Sequence, residues 1–213
     1  NAGAVVSFFS GVSERVDALS IDCVRPMIIR SEAKPAACRL RFDLAHEAGH
    51  LIMHRGIQTG DKVTEDQANR FASAFLLPRS SFIHEFPRSR LLDWSAIFSL
   101  KLRWKVSAAA ILRRAYDLRM ISPDQYRTGY IHLSKTGQRR AERFDDQIPT
   151  EMPELLPKAL QALEAAFPGS LTRMVDASGL QAEMFEHVSG LALPVEKTPD
   201  DNIVPINLWK SSI

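Results

Sequence analysis

The chain has 213 residues, 45% of them hydrophobic and 24% charged, enough to bury a core as one domain or as one domain with a small appendage. A formal net charge of +2 is too small to imply a nucleic-acid partner, and two cysteines without a C-x-x-C exclude a disulfide framework, so a reducing cytoplasm is the expected compartment. No apolar run approaches the roughly 18 residues of a membrane span, and no membrane partner is expected.

Residues 3–12 are apolar, but they lack the basic flank of a secretory signal and serines interrupt them, so they read as a strand. The chain starts at Asn1 rather than Met, which leaves room for a segment upstream. Residues 4–9 (AVVSFF), 16–21 and 24–30 are rich in β-branched and aromatic side chains, with a turn at Asp22-Cys23. They predict a small antiparallel sheet, followed by a loop over 31–37.

Residues 39–55, RLRFDLAHEAGHLIMHR, predict a helix with a broad apolar surface that carries the pattern H-E-x-x-H at His46-Glu47-Ala48-Gly49-His50. Residues four apart share one helix face, so His46 and His50 can grip one Zn²⁺ while Glu47 addresses the water the metal holds. Gly49 costs about 1 kcal/mol of helix stability against alanine, tolerable where another element or the metal site must come close. After a loop over 56–63, Thr64 resembles the N-cap of a helix TEDQANRFASAFLL that Pro78 follows. Three more helices are predicted over 91–102, 107–120 and 123–133, the last opened by Ser122-Pro123. Residues 137–150 are charged and irregular and mark a loose boundary. An amphipathic helix over 154–167, two short helices within 171–188 broken at Gly179, and an extended tail from 191 complete the chain.

A catalytic zinc site takes three protein ligands and keeps a position for water. Glu65, fifteen residues after His50, begins the next helix after a loop long enough to fold it back across the first, and Asn69 one turn on can hydrogen-bond a ligand. His54 extends the motif, but eight residues of helix rise about 12 Å, too far to share a metal with His46, so a role at the helix C-terminus is expected. Asp61 and Asp66 are rival third ligands that rank below Glu65. Asp43 either orients a ligand imidazole or is a plain surface carboxylate. Glu47 is the candidate acid/base. Cys38, just before the helix, could block the open position as a thiolate, although burial as a small apolar side chain is the commoner fate. His84, Tyr116, Tyr126, Tyr130 and His132 are candidate donors to an oxyanion, and nothing in the sequence selects among them. Trp94 and Trp104 around a basic stretch fit a solvated helix face better than a nucleic-acid surface, and the pair of helices around Gly179 carries Asp176, Glu183 and Glu186, which argues against DNA contact there.

The blocks RLRFDLAHEAGHLIMHR and EDQANRFASAFLLPR, over a match of roughly residues 4–135, resemble the ImmA/IrrE family of bacterial metallopeptidases. The resemblance implies a gluzincin-like α+β fold: a small antiparallel sheet on a zincin-like helical core, followed by a mainly helical C-terminal region. It implies His46, His50 and Glu65 as zinc ligands, Glu47 as the acid/base, and cleavage of a helix-turn-helix repressor as the activity, often with a fused N-terminal helix-turn-helix domain. No such domain is recognisable ahead of the first strand. The expected organisation is a peptidase domain with its helical continuation over 1–137 and a helical region with an extended tail over 138–213. The expected function is a cytoplasmic zinc endopeptidase acting on one protein partner, a DNA-binding repressor, in transcription or stress regulation. The competing expectation is a regulatory module that keeps the fold and sequesters its partner, or senses DNA, without cleaving.

Overall fold

A computed structural model describes residues 3–9, 18–31 and 36–193. Strands β1 (Val5–Phe9), β2 (Ala18–Ile21) and β3 (Met27–Ser31) form one sheet in the order β1-β3-β2. The sheet is mixed rather than wholly antiparallel: β2 runs antiparallel to β3, and β1 runs parallel to it, with Val5 opposite Met27 and Phe9 opposite Ser31. The chain does reverse direction from each strand to the next. Because β3 enters between the other two, it meets one neighbour with each polarity. The expected turn at Asp22-Cys23 lies in the link from β2 to β3, and the part of the second expected strand before Ala18 lies outside the described residues.

Helix α1 (Ala37–Met53) lies between this sheet and α2 (Lys62–Leu76), touching β2 and β3 on one side and α2 along its length on the other. Its buried residues Leu40, Ala45, Gly49, His50 and Leu51 recur at helical spacing, which explains how one helix serves both neighbours. Helix α2 starts three residues earlier than expected. Asp61, not Thr64, is its N-cap: the carboxylate accepts from the amides of Val63 (2.7 Å) and Thr64 (3.2 Å) and from the Thr64 hydroxyl (2.7 Å). These bonds hold the Asp61 carboxyl below its ordinary pKa and commit it to the helix start.

Beyond α2 come α3 (Arg79–Glu85), which the sequence reading did not anticipate, then α4 (Trp94–Trp104), α5 (Ala108–Asp117) and α6 (Pro123–Lys135). They enclose the largest apolar core, built around Phe82, Phe86, Ile97, Ile111, Leu112 and Leu133. Ser122 opens α6 with a capping box to Gln125 and Pro123 in the first turn.

Residues 137–150 are irregular apart from a 3-10 turn at Asp145–Gln147, but they are pinned by buried charge. The fully buried Lys101 ammonium donates to Glu142 Oε2 at 2.8 Å and to Asp145 Oδ1 at 2.5 Å. Glu142 also accepts from the amides of Ala108 and Ala109 at the start of α5 (2.7 and 3.2 Å). Helices α7 (Leu155–Ala166), α8 (Ser170–Ser178) and α9 (Ala182–Ser189) share a small core of Leu160, Leu171 and Phe185. They return to the sheet, where the Ser7 hydroxyl donates to the Val188 carbonyl at 2.7 Å. The expected tail from 191 lies outside the described residues after Leu193. No described helix is long and apolar enough to cross a membrane.

Candidate metal centre

Two helices and one glycine create the site. A Cβ placed on Gly49 would lie 3.0 Å from Phe71 Cδ1 and 3.3 Å from Phe71 Cβ and Cγ, so the absent side chain is what lets α2 lie this close to α1. At that separation the first turn of α2 delivers Glu65 to the H-E-x-x-H face of α1. His46 Nε2 and His50 Nε2 are 3.0 Å apart, Glu65 Oε2 is 3.1 Å from His46 Nε2, and Glu65 Oε1 is 3.4 Å from His50 Nε2. Among the described residues, this is the one group of three or more His, Cys, Asp or Glu side chains that converges tightly enough to hold a metal ion.

The donor set has the right chemistry for zinc. A tetrahedral ion with bonds of about 2.0–2.1 Å has ligand-to-ligand edges of about 3.3 Å, and the three separations lie close to that. The nitrogens facing away from the site are also engaged. His46 Nδ1 lies 3.0 Å from Asn69 Oδ1; the carbonyl oxygen accepts, so Nδ1 carries the hydrogen and Nε2 offers its lone pair. His50 Nδ1 lies 3.0 Å from His54 Nδ1, and His54 Nε2 lies 2.8 Å from Gln67 Oε1. Burial, reinforced by the neighbouring His46, pushes the His50 pKa below its ordinary value, which favours the neutral ring that metal binding requires. Glu47 is half-buried, its charge acts on His50, and it makes no hydrogen bond or ion pair among the described residues. Its carboxylate is therefore uncommitted and available for proton transfer.

The remaining candidates separate by position. Cys38 is not at the site: it is buried in an apolar cluster with Ala37 and Ile148, and burial pushes its thiol up to about 11. Its packing against Ile148 is the burial as a small apolar side chain that is the commoner fate of a cysteine. Asp61 caps α2, and Asp66 lines a cleft of about 480 Å³ beside the metal centre. Asn69, Asp43, Tyr126 and Tyr130 line the same cleft, so two of the five oxyanion candidates reach it. His132 instead stacks on Trp94 at 4.1 Å, Tyr116 stacks on Tyr126 at 4.5 Å, and His84 is exposed on α3. His54 does sit at the end of α1, but its ring is buried against His50, so the helix dipole is not its main partner. The bonds of His54 and Gln67 were missed by the sequence reading; the signal was the i, i+4 spacing of His50 and His54, which suits a ring-to-ring hydrogen bond as well as a shared metal.

One helix carrying H-E-x-x-H and a second returning a glutamate define a metallopeptidase-like centre. The family profile described as Peptidase M78, the IrrE N-terminal-like domain, matches residues 1–116, from ahead of β1 through nearly all of α5. That is more than half of the chain, which therefore belongs to the ImmA/IrrE family of metallopeptidases. No curated protein matches the chain significantly.

Proposed function

We propose that the protein is a zinc-dependent endopeptidase in which His46, His50 and Glu65 hold the ion and Glu47 is the acid/base. The observation that carries this reading is the convergence of two imidazole nitrogens and a carboxylate with edges of 3.0, 3.1 and 3.4 Å beside an uncommitted glutamate. A bound zinc ion supplies Lewis acidity, polarising the scissile carbonyl and bringing the pKa of water towards about 7. Glu47 takes the proton of the attacking water and hands it to the leaving amine. Asn69 holds His46 with its ligating nitrogen turned to the site. The cleft beside Asn69 offers an aromatic and apolar wall from Phe42, Tyr126 and Tyr130 and receives the extended substrate segment.

The substrate we propose is a single partner protein, a helix-turn-helix repressor whose cleavage relieves repression in the cytoplasm. The family match supports a metallopeptidase, and the repressor is what the resemblance to ImmA/IrrE proteins leads us to propose. We take residues 1–137 as the peptidase unit with its helical continuation and 138–213 as a C-terminal region, in which the described helices α7, α8 and α9 share a small core. The test mixes the purified chain, Zn²⁺ and the repressor encoded beside it. A discrete cut is expected, and Glu47→Gln should slow it at least about 100-fold, the range a positioned general base contributes, with zinc binding retained. Equal cleavage by Glu47→Gln would refute the assigned chemistry, and tight binding of the repressor without any cut would favour sequestration over proteolysis.

A further inference from the structure

We infer that His54 and Gln67 are positioning residues that decide which ring nitrogen of His50 carries its proton. The inference rests on the zinc site proposed above. His54 caps the C-terminus of α1, and its ring is buried, with 6% of the residue exposed. A neutral imidazole has one N–H donor and one acceptor nitrogen. His54 Nε2 lies 2.8 Å from the Gln67 side-chain oxygen, which can only accept, so Nε2 carries the hydrogen. His54 Nδ1 is then an acceptor, and 3.0 Å away it faces His50 Nδ1, which must donate. That leaves His50 Nε2 as a lone pair directed at His46 Nε2 and Glu65. With the Gln67 oxygen facing His54, each link follows from the one before it.

Asn69 achieves the same result for His46 in a single step. With both rings set this way, two lone pairs and a carboxylate face one another with no hydrogen between them, an arrangement that a cation satisfies. The relay also makes the outcome reversible by chemistry at a distance. A donor at position 67 would place the hydrogen on His54 Nδ1, turn His50 Nδ1 into the acceptor, and leave a hydrogen on His50 Nε2 where the metal must bind. Gln67 is exposed and bonds to neither ligand histidine, yet its polarity sets the competence of the site.

The experiment titrates Zn²⁺ into the purified full chain against a chromogenic chelator, with urea unfolding of each metal-free variant in parallel. His54→Leu keeps bulk and removes the acceptor; His54→Asn restores an acceptor at the position of Nδ1. Gln67→Glu keeps an acceptor and removes any donor; Gln67→Leu removes both. The expected result is a loss of about 10–100-fold in zinc affinity for His54→Leu, the range seen when a ligand's outer partner is removed. His54→Asn should recover most of it. Gln67→Glu should bind at least as tightly as the parent, and Gln67→Leu more weakly. Nitrogen-15 NMR of the metal-free protein should show His50 protonated at Nδ1 in the parent and in His54→Asn. The inference is overturned if His54→Leu and His54→Asn lose affinity equally, or in step with their urea stability, as a purely packing role requires. It is also overturned if metal-free His50 carries its hydrogen on Nε2. A parent chain that takes up no zinc would instead overturn the metal site itself, and this inference with it.

Discussion

Gly49→Ala tests whether close packing of α1 on α2 sets the geometry of the site. In an ordinary helix interior the change stabilises by about 1 kcal/mol. Here the new methyl would meet Phe71 at 3.0 Å from Cδ1 and 3.3 Å from Cβ and Cγ. Phe71 cannot simply rotate away, because its own Cβ is one of the atoms met and its ring is stacked on Phe75 with centroids 5.9 Å apart. So α2 must back off by a few tenths of an ångström. Overpacking of this kind costs about 1–3 kcal/mol, which cancels the helix gain and leaves the variant between unchanged and about 2 kcal/mol less stable. The effect on metal is separate from the effect on stability. Glu65 and Asn69 ride on the same helix as Phe71, so such a shift uses up much of the roughly 0.5 Å within which a ligand set must be held. A tenfold loss of zinc affinity, about 1.4 kcal/mol, is the expected result. Chelator competition and urea unfolding of the metal-free protein read the two quantities separately, and Phe71→Ala in the same chain, which removes the contacts with Cγ and Cδ1, should restore part of the affinity. An alanine variant that gains about 1 kcal/mol and binds zinc like the parent would refute the reasoning, since it would show that no close approach exists at Gly49.

Three further outcomes follow from the buried charges and thiols. Glu142→Ala leaves Lys101 with Asp145 alone and frees two amides at the start of α5, so urea unfolding should show a loss of about 3–5 kcal/mol; a loss below about 1 kcal/mol would mean that residues 137–150 are not anchored by this pair. Burial depresses the Lys101 pKa, but the hydrogen bonds to Asp145 and Glu142 outweigh it and the net shift is upward from the ordinary 10.5. Its stabilisation is therefore complete below about pH 10.5 and is lost as pH rises through the raised value, so the stability difference between the parent and Lys101→Met should narrow on the alkaline side and stay flat at neutral pH. A thiol reagent at pH 8 should label exposed Cys23 in the native protein and reach Cys38, only 1% exposed, after denaturation; rapid native labelling of both would contradict the burial of Cys38.

The parts of this fold visible in the sequence are those where one local period decides the outcome. The spacing of His46 and His50 places them on one face of any helix, and Ser122 followed by Pro123 marks a helix start whatever surrounds it. Where two local signals compete, the sequence could not arbitrate. Asp61 and Thr64 are both good caps, and the chain uses both at once, the hydroxyl of Thr64 donating to Asp61 from inside the helix while Thr64 itself is buried. Pairings between distant segments leave no local trace at all. Lys101 and Glu142 are 41 residues apart, and each alone reads as a solvated charge, so a segment that is pinned looks like a loose one. The same limit explains β3, whose central place in the sheet depends on β1 finding its far edge. His54 is the most instructive case, because the helical rise that bars it from sharing a metal with His46 was the right calculation for the wrong question. Repeating the i, i+4 step from His50 puts a second imidazole within hydrogen-bonding distance of the first ligand's outer nitrogen. A motif of the form H-E-x-x-H-x-x-x-H therefore carries two kinds of information at one spacing: which rings face the ion, and which ring tells its neighbour where to keep its proton.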